Sequence, residues 1–139
     1  MPLLNVLLSP VPALEGPAAQ RLCQSVASDL LAHTVDHLHK RADLTAIVVQ
    51  LVPAQQWFIA GRPLPELGQP SAAVEIRVTD DTNTDAEKAA WLAAVQASLG
   101  HHLPGLHEVS YLQVQDLHPA AWGYGGRTQA ARRARAQGL

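Results

Sequence analysis

Pro2 is the residue of this sequence with the clearest capacity for chemistry, because it directly follows the initiator Met1. Removal of that methionine leaves Pro2 with a secondary amine that is held by a ring and has no flexible stem. An apolar pocket disfavours the ammonium form of such an amine and moves its pKa toward neutrality. A base with a pKa near the working pH is suited to removing a proton next to a carbonyl. Pro2 therefore predicts a catalytic general base. The alternative is a proline that only starts a strand, where its missing N–H costs little.

The elements that must position Pro2 begin with the apolar strand that follows it. The first half of the chain reads as a strand over 3–8, a helix from about Pro17, a strand over 44–52 and a hairpin-like segment over 57–62. The second strand is almost continuously apolar, as expected of a buried parallel strand. The helix has an apolar stripe at helical spacing, made of Ala19, Leu22, Cys23, Val26, Leu30 and Leu31.

The second half repeats the same plan. A strand over 73–79 leads to a helix whose first turn has the capping-box spacing of Thr84 and Glu87, and a strand over 109–115 follows. The apolar face predicted for this helix consists of Ala89, Leu92, Val95 and Leu99. The motif Trp57-x-x-x-Gly61-Arg62 recurs as Trp122-x-x-x-Gly126-Arg127, 65 residues later. A period of this length with β-α-β in each copy indicates an internal duplication.

The duplication predicts the domain plan and the fold class. We expect one domain over 1–139, with repeats over about 2–62 and 72–127, a linker over 63–71 and a C-terminal tail over 128–139. The fold class is α/β (α+β), because two right-handed β-α-β units give a four-stranded sheet with both helices on one face. In strand 3–8, Leu4, Val6 and Leu8 point one way while Leu3 and Leu7 point the other. Both faces of the sheet therefore need cover, which predicts self-association.

Composition excludes several classes of protein. Hydrophobic residues make up 47% of the chain and charged residues 16%, which excludes a disordered protein. A net charge of -2 argues against nucleic acid as a partner. No uninterrupted apolar stretch is long enough for a membrane span, and the single Cys23 fits a reducing compartment. We therefore expect a cytoplasmic location and no membrane contact.

At this point the chain resembles the tautomerase superfamily, in the subgroup where two 4-oxalocrotonate tautomerase units are fused head to tail. The resemblance rests on Pro2 before an apolar strand, the doubled β-α-β plan, and the Gly-rich hairpin after each second strand. The stretch from Trp122 to Arg127 is particularly close to the family's hairpin. The resemblance spans Pro2 to about Arg127 and implies a tautomerase/MIF-like fold and a homotrimer. It also implies an N-terminal proline acting as general base or acid, with no cofactor.

The chain departs from the family pattern at the positions where members acting on dicarboxylates usually carry arginine. No arginine lies between Met1 and Arg21, and the second-strand counterparts look like Ala46 and Tyr111. The loop of the second half is acidic and begins with Asp80 and Asp81, where dehalogenating or decarboxylating relatives tend to carry arginines. Carboxylates there would repel an anionic substrate and fail to stabilise a developing enolate. Dehalogenase or decarboxylase chemistry is therefore disfavoured.

Other side chains are candidates for binding the substrate. We expect the anion to be bound by Arg62 or Arg127, each in a hairpin, or by Arg77 on the third strand, since a guanidinium can bind a carboxylate through two bonds. The candidates for walling the pocket or donating to a carbonyl are Trp57, Trp122, Tyr111 and Tyr124. The alternative roles are hairpin anchoring for the arginines and core or interface packing for the tryptophans.

The histidines do not form a convincing metal site. His33 and His37 have the helical spacing of a shared ligand pair, but the sequence places no third ligand beside them. We interpret them as part of a polar helix end and expect no metal.

The sequence thus predicts a proline-based isomerase that shifts a proton within a 2-hydroxy-dienoate or an enol of a small oxo-acid. Two alternatives stay open. One is a non-catalytic trimeric homolog that has lost the arginines, and the other is a hydratase or dehalogenase-like relative that uses the same amine. An amide nitrogen at Pro2, which follows if Met1 is retained, has no basicity.

Overall fold

A computed structural model describes residues 1–138 and contains the predicted repeat. The elements of the first half are β1 (Leu3–Ser9), α1 (Gly16–Leu38), β2 (Ala46–Leu51), β3 (Phe58–Ile59), β4 (Arg62–Pro63) and α2 (Leu64–Leu67). Those of the second half are β5 (Ser71–Thr79), α3 (Asp85–His102), β6 (Tyr111–Leu117), β7 (Gly123–Tyr124), β8 (Arg127–Thr128) and α4 (Gln129–Ala136). The segment 63–71 contains the short helix α2, and the tail contains the basic helix α4.

One mixed sheet forms the centre of the molecule, in the strand order β2-β1-β5-β6. Each half contributes a parallel pair, and the two pairs meet where β1 and β5 run antiparallel. The antiparallel register extends from Leu3 opposite Arg77 to Ser9 opposite Ser71, with Val6 opposite Val74 at its middle. Because Leu3 and Ala73 occupy equivalent places in the two repeats, an approximate twofold axis between β1 and β5, at the Asn5–Glu75 pair, relates the repeats.

Local sequence accounts for how the long helices begin and end. The predicted capping box of α3 is present, because Thr84 Oγ1 accepts from the Glu87 N–H while Glu87 accepts from the Thr84 N–H. Pro17 lies in the first turn of α1, where a missing N–H is harmless. His39 ends α1 in the left-handed region at φ 57°, and its N–H bonds back to the last turn.

The core lies between the sheet and the two long helices. The predicted alternation in β1 is confirmed, since Leu4, Val6 and Leu8 are buried among helix side chains. The prediction missed Trp91, which is fully buried and donates from Nε1 to Thr34 Oγ1 at 3.2 Å. The prediction of Ala89 as part of the apolar face of α3 is wrong, because Ala89 is exposed. Trp91 lies two residues further along α3, and its larger side chain fills the space between the helices.

The opposite face of the sheet, here called the open face, is less apolar than β1 alone suggested. A polar row crosses it: Asn5 donates to Glu75 at 3.2 Å, Glu75 pairs with Arg77 at 3.1 Å, and Arg77 donates to Gln115 at 3.3 Å. Strand β2 is an edge strand rather than a buried one, because only β1 pairs with it and alternate residues such as Val48 are exposed. No helix among residues 1–138 is both long and apolar enough to cross a membrane.

The sheet has two chemically different ends. We call the end that contains Pro2, Thr79 and Leu117 the amine pole, and the end that contains Ser9, Leu51 and Ser71 the linker pole. The hairpin β3–β4 follows Leu51 and therefore starts at the linker pole, whereas β7–β8 follows Leu117 and starts at the amine pole.

Candidate active site

The N-terminus lies at a protected corner of the amine pole. Pro2 is buried immediately before β1, and its carbonyl accepts from the Ala46 N–H at 3.2 Å. This bond fixes the start of β1 beside the start of β2. Proline is tolerated there because the first residue of a strand does not need to donate to the sheet. The pairing of β1 with β2 therefore fixes the position of Pro2.

An amine at this corner is less basic than an amine in water. Burial, and secondly the positive charge of Lys40, lower the pKa of the Met1 α-amine to about 6. Both effects act in the same direction because each disfavours an ammonium ion. Above pH 6 the neutral form of this amine therefore predominates, and a neutral amine can accept a proton.

Lys40 is the residue of this site that sequence reasoning missed. It follows the helix-ending His39, is half-buried, and donates from Nζ to Thr82 Oγ1 at 2.8 Å. Burial lowers the pKa of Lys40, while the nearby carboxylates of Glu87 and Asp116 oppose that shift. A signal was present in the sequence. Lys40 is one of only two lysines, and a β-α-β crossover returns the chain to the end of the sheet where Pro2 lies.

The loop between β5 and α3 holds the Lys40 segment in place. Thr82 Oγ1 donates to the Thr79 carbonyl at 2.5 Å while it accepts from Lys40. Asn83 Nδ2 donates to the Leu38 carbonyl at 2.9 Å, which satisfies an acceptor at the end of α1. His39 Nε2 lies 3.0 Å from Glu87 Oε2. The position of Lys40 is thus set from both halves of the chain.

Trp122 and Arg127 lie at the same pole as Pro2. The Trp122 Nε1–H donates to Thr79 Oγ1 at 3.2 Å, which ties the second hairpin to the end of β5. Trp122, Gly126, Arg127 and Thr128 line a shallow cavity of about 270 Å³ there. Tyr124 lies in the same hairpin, and the Arg132 guanidinium stacks 3.6 Å above its ring. That cation keeps the Tyr124 ring against α4.

The remaining predicted binding residues lie at the linker pole or on the open face. Arg62 lies in the hairpin that starts at the linker pole and pairs with Glu66 at 3.4 Å, and Trp57 precedes that hairpin. Tyr111 starts β6 at the linker pole and is 74% exposed. Arg77 lies on the open face in the polar row described above, opposite Leu3 and therefore at the amine-pole end of the sheet. Within one chain, Pro2, Trp122 and Arg127 therefore lie at the same pole, whereas Arg62, Trp57 and Tyr111 do not.

The histidines contact the neighbouring helix. His33 Nε2 lies 2.6 Å from Ser98 Oγ, and His102 Nε2 lies 2.7 Å from Asp29 Oδ2, so both bridge α1 and α3. The rings of His33 and His37 are 5.9 Å apart between centroids. Within residues 1–138, no three side chains of His, Cys, Asp or Glu come together as a metal site.

Comparison with solved structures gives this fold its class. No family model matches the sequence, and neither does any curated protein. A native fused 4-OT is 22% identical, with a TM-score of 0.78 over 93% of this chain and 97% of the other. A fused 4-OT solved as a symmetric trimer is 20% identical, with a TM-score of 0.72 over 94% and 98%. Pt0534, solved after inactivation by 2-oxo-3-pentynoate, is 13% identical, with a TM-score of 0.73 over 94% and 98%. The chain has the fold of the fused 4-oxalocrotonate tautomerases over nearly its whole length.

Proposed function

We propose that this chain is a cofactor-independent tautomerase in which Pro2, exposed by removal of Met1, is the general base. Its substrate is an enol or 2-hydroxy-dienoate of a small oxo-acid. The observation that carries the proposal is the combination at the amine pole of a buried Pro2, a position where burial and Lys40 lower the pKa of the Met1 α-amine, and the ammonium group of Lys40 itself. The likeness to fused 4-OT structures supports it at the level of the fold.

The reaction divides between two groups. The neutral Pro2 nitrogen takes a proton from one position of the substrate and becomes an ammonium ion. That ion returns the proton to a carbon further along the conjugated system, so the net change is an isomerisation and the amine is regenerated. Lys40 binds the carboxylate and stabilises the negative charge that develops on the oxygen while the proton is on Pro2. Trp122 provides an apolar wall, which keeps water from competing for the proton.

Arg127 is the second proposed contact to the substrate anion, because it lines the cavity beside Trp122. Arg62 belongs to the other hairpin and can serve a site only in a neighbouring subunit. Arg77 is engaged by Glu75 and Gln115, which makes it a weaker candidate.

The proposal is tested by covalent labelling with 2-oxo-3-pentynoate, the compound that inactivates Pt0534. An amine nitrogen can add to its triple bond, with a new N–C bond and transfer of the N–H proton to carbon. We expect one equivalent per chain, mapped to Pro2 by mass spectrometry, and loss of phenylenolpyruvate tautomerase activity in parallel. A general base typically contributes about 10²–10⁴-fold, so Pro2→Ala, which keeps a primary amine, should be slow rather than inactive.

The control is the same protein with Met1 retained on every chain, verified by intact mass. Its Pro2 nitrogen is an amide, so it should lack activity and carry no label on Pro2. Full tautomerase activity in this form contradicts the mechanism. Absence of turnover in the trimmed form, with intact folding, favours a non-catalytic homolog.

We further propose that the chain assembles as a homotrimer. The open face and the edges of β2 and β6 lack partners within residues 1–138, and unpaired sheet edges are usually covered in native proteins. Fused 4-OT has been solved as symmetric and asymmetric trimers. Analytical ultracentrifugation should give about three times the monomer mass of 14.9 kDa. A stable monomer at micromolar concentration contradicts the assembly.

A further inference from the structure

The amine pole contains charged side chains of both signs. The only two lysines of the chain lie there, and one of them is occupied, because Lys88 Nζ donates to Asp116 Oδ2 at 2.8 Å with both side chains partly buried. Lys40 donates to the neutral hydroxyl of Thr82. Lys40 is therefore the lysine whose charge is available to an incoming anion.

Two carboxylates lie in the turn that holds Lys40. Asp80 and Asp81 immediately precede Thr82, and both are exposed. Asp80 Oδ1 accepts from the Asp81 N–H at 2.9 Å, and Asp81 has a positive φ of 60°. Neither forms an ion pair among residues 1–138, whereas Asp116 pairs with Lys88 and Glu87 pairs with His39. Asp116, and less strongly Asp80, raise the pKa of Lys88. Asp80 and Asp81 directly precede Thr82, the residue that accepts from Lys40, so both carboxylates belong to the turn against which an anion bound to Lys40 would lie.

We infer that the amine pole selects a substrate with a single carboxylate, and that Asp80 and Asp81 exclude a second one. This inference rests on the proposed function, since it assigns the substrate class of that site. One carboxylate can bind Lys40. A second carboxylate on the same small molecule lies within a few bonds of the first and so within reach of the Asp80–Asp81 turn. Like charges at such separations repel strongly where water is partly excluded.

The carboxylates could also serve only to shape the turn, and isosteric amides separate the two roles. Asp80→Asn retains an oxygen that can accept from the Asp81 N–H. Asparagine is also among the residues that tolerate a positive φ, so Asp81→Asn keeps the backbone unstrained. The double variant therefore removes both charges and preserves the turn. Asp36→Asn, at an exposed position on α1, is the matched control.

The test compares the binding of 2-oxohexanoate and 2-oxoadipate, which have the same chain length and differ only in the terminal carboxylate. Calorimetry on the trimmed native protein at low salt should give a Kd at least about tenfold lower for the monoacid. In the double asparagine variant both acids should bind more tightly, but the Kd of the diacid should fall further than that of the monoacid, so that the two values come within about threefold of each other. Asp36→Asn should leave the gap as it is.

Three results overturn the inference. They are equal or tighter binding of the diacid to the native protein, an unchanged gap in the double asparagine variant, and failure of both acids to bind. Binding is measured without turnover, so these outcomes are separate from failure of the proposed function, which appears as inactivity toward phenylenolpyruvate together with selective monoacid binding.

Discussion

The two poles of the sheet have the same architecture and opposite chemical character. Leu3 pairs with Ala46 as Ala73 pairs with Tyr111, so Pro2 at the amine pole corresponds to Ala72 at the linker pole. Lys40 precedes Ala46 by the same number of residues as Gly105 precedes Tyr111. The linker pole therefore has an internal alanine where the proposed function requires a terminal amine at Pro2, and a glycine where the amine pole has Lys40.

At the linker pole, serine hydroxyl groups form hydrogen bonds with the backbone. Ser71 Oγ donates to the Val109 carbonyl at 3.1 Å, Ser110 Oγ accepts from the Ala72 N–H at 3.2 Å, and Ser9 Oγ donates to the Val52 carbonyl at 2.7 Å. At the amine pole the residue equivalent to Ser9 is Thr79, which accepts instead from Trp122. The fold thus provides two equivalent corners, and under the proposed function Pro2 and Lys40 make the amine pole the catalytic one.

Lys40 is the charged residue that distinguishes the amine pole from the linker pole, and removing its charge should have the largest effect on KM. Lys40→Met keeps the stem and deletes the ammonium group. A hydrogen bond to a charged group is worth about 1.5–3 kcal/mol, so KM for an anionic enol should rise about 10- to 100-fold. Steady-state kinetics with phenylenolpyruvate measure it, and Lys40→Arg should restore part of the loss.

Arg41→Met is the matched control, because Arg41 is the next residue along the chain, is exposed and pairs with Asp43 at 2.7 Å. It should leave KM within about twofold of the native value, as expected for a surface ion pair. Arg127→Ala should have an intermediate effect, and Arg62→Ala a smaller one that depends on assembly. Equal effects of the Lys40 and Arg41 variants contradict the role of Lys40.

A smaller effect is expected in the pH dependence of kcat/KM. The base must be neutral, so activity should rise with pH through the pKa of the terminal amine, which burial and Lys40 lower; for Met1 it is about 6. Activity should fall again as Lys40 loses its proton, at a pH below the ordinary lysine value of 10.5, because burial lowers the pKa of Lys40. The profile should therefore be bell-shaped.

Lys40→Met sharpens this test. Without the lysine charge the amine pKa rises, so the acid limb should move to higher pH and the alkaline limb should disappear. A profile that is flat between pH 5 and 9 in the native protein contradicts a base of this kind. An unchanged acid limb in the variant places Lys40 too far from the amine to influence it.

The sequence was sufficient to predict the fold because its signals are local and repeated. The alternation in β1, the capping box at Thr84 and Glu87, and the repeat of Trp57 and Trp122 each reflect backbone geometry that short segments determine. The prediction of Pro2 as the base rests on its place next to Met1 in the sequence, and it stays a prediction.

The rest of the site depends on contacts between distant segments. Lys40 meets Thr82 across 42 residues, and nothing in its immediate neighbours marks it as a site residue. The partners of Arg77 on the open face come from the pairing of β1, β5 and β6, so an apolar reading of β1 alone overestimated the hydrophobicity of that face. The opposite positions of Arg62 and Arg127 follow from the antiparallel meeting of the two halves.

The three tryptophans give the molecule a set of optical reporters. Trp91 is fully buried with its indole N–H bonded to Thr34, whereas Trp57 and Trp122 occupy repeat-related places before the two hairpins and are only half-buried. One tryptophan therefore fluoresces from a buried position, and two fluoresce from positions partly exposed to solvent. Replacing two of them with phenylalanine leaves a single tryptophan. The three such variants report separately on melting of the core (Trp91), on events at the linker pole (Trp57) and on ligand binding at the amine pole (Trp122).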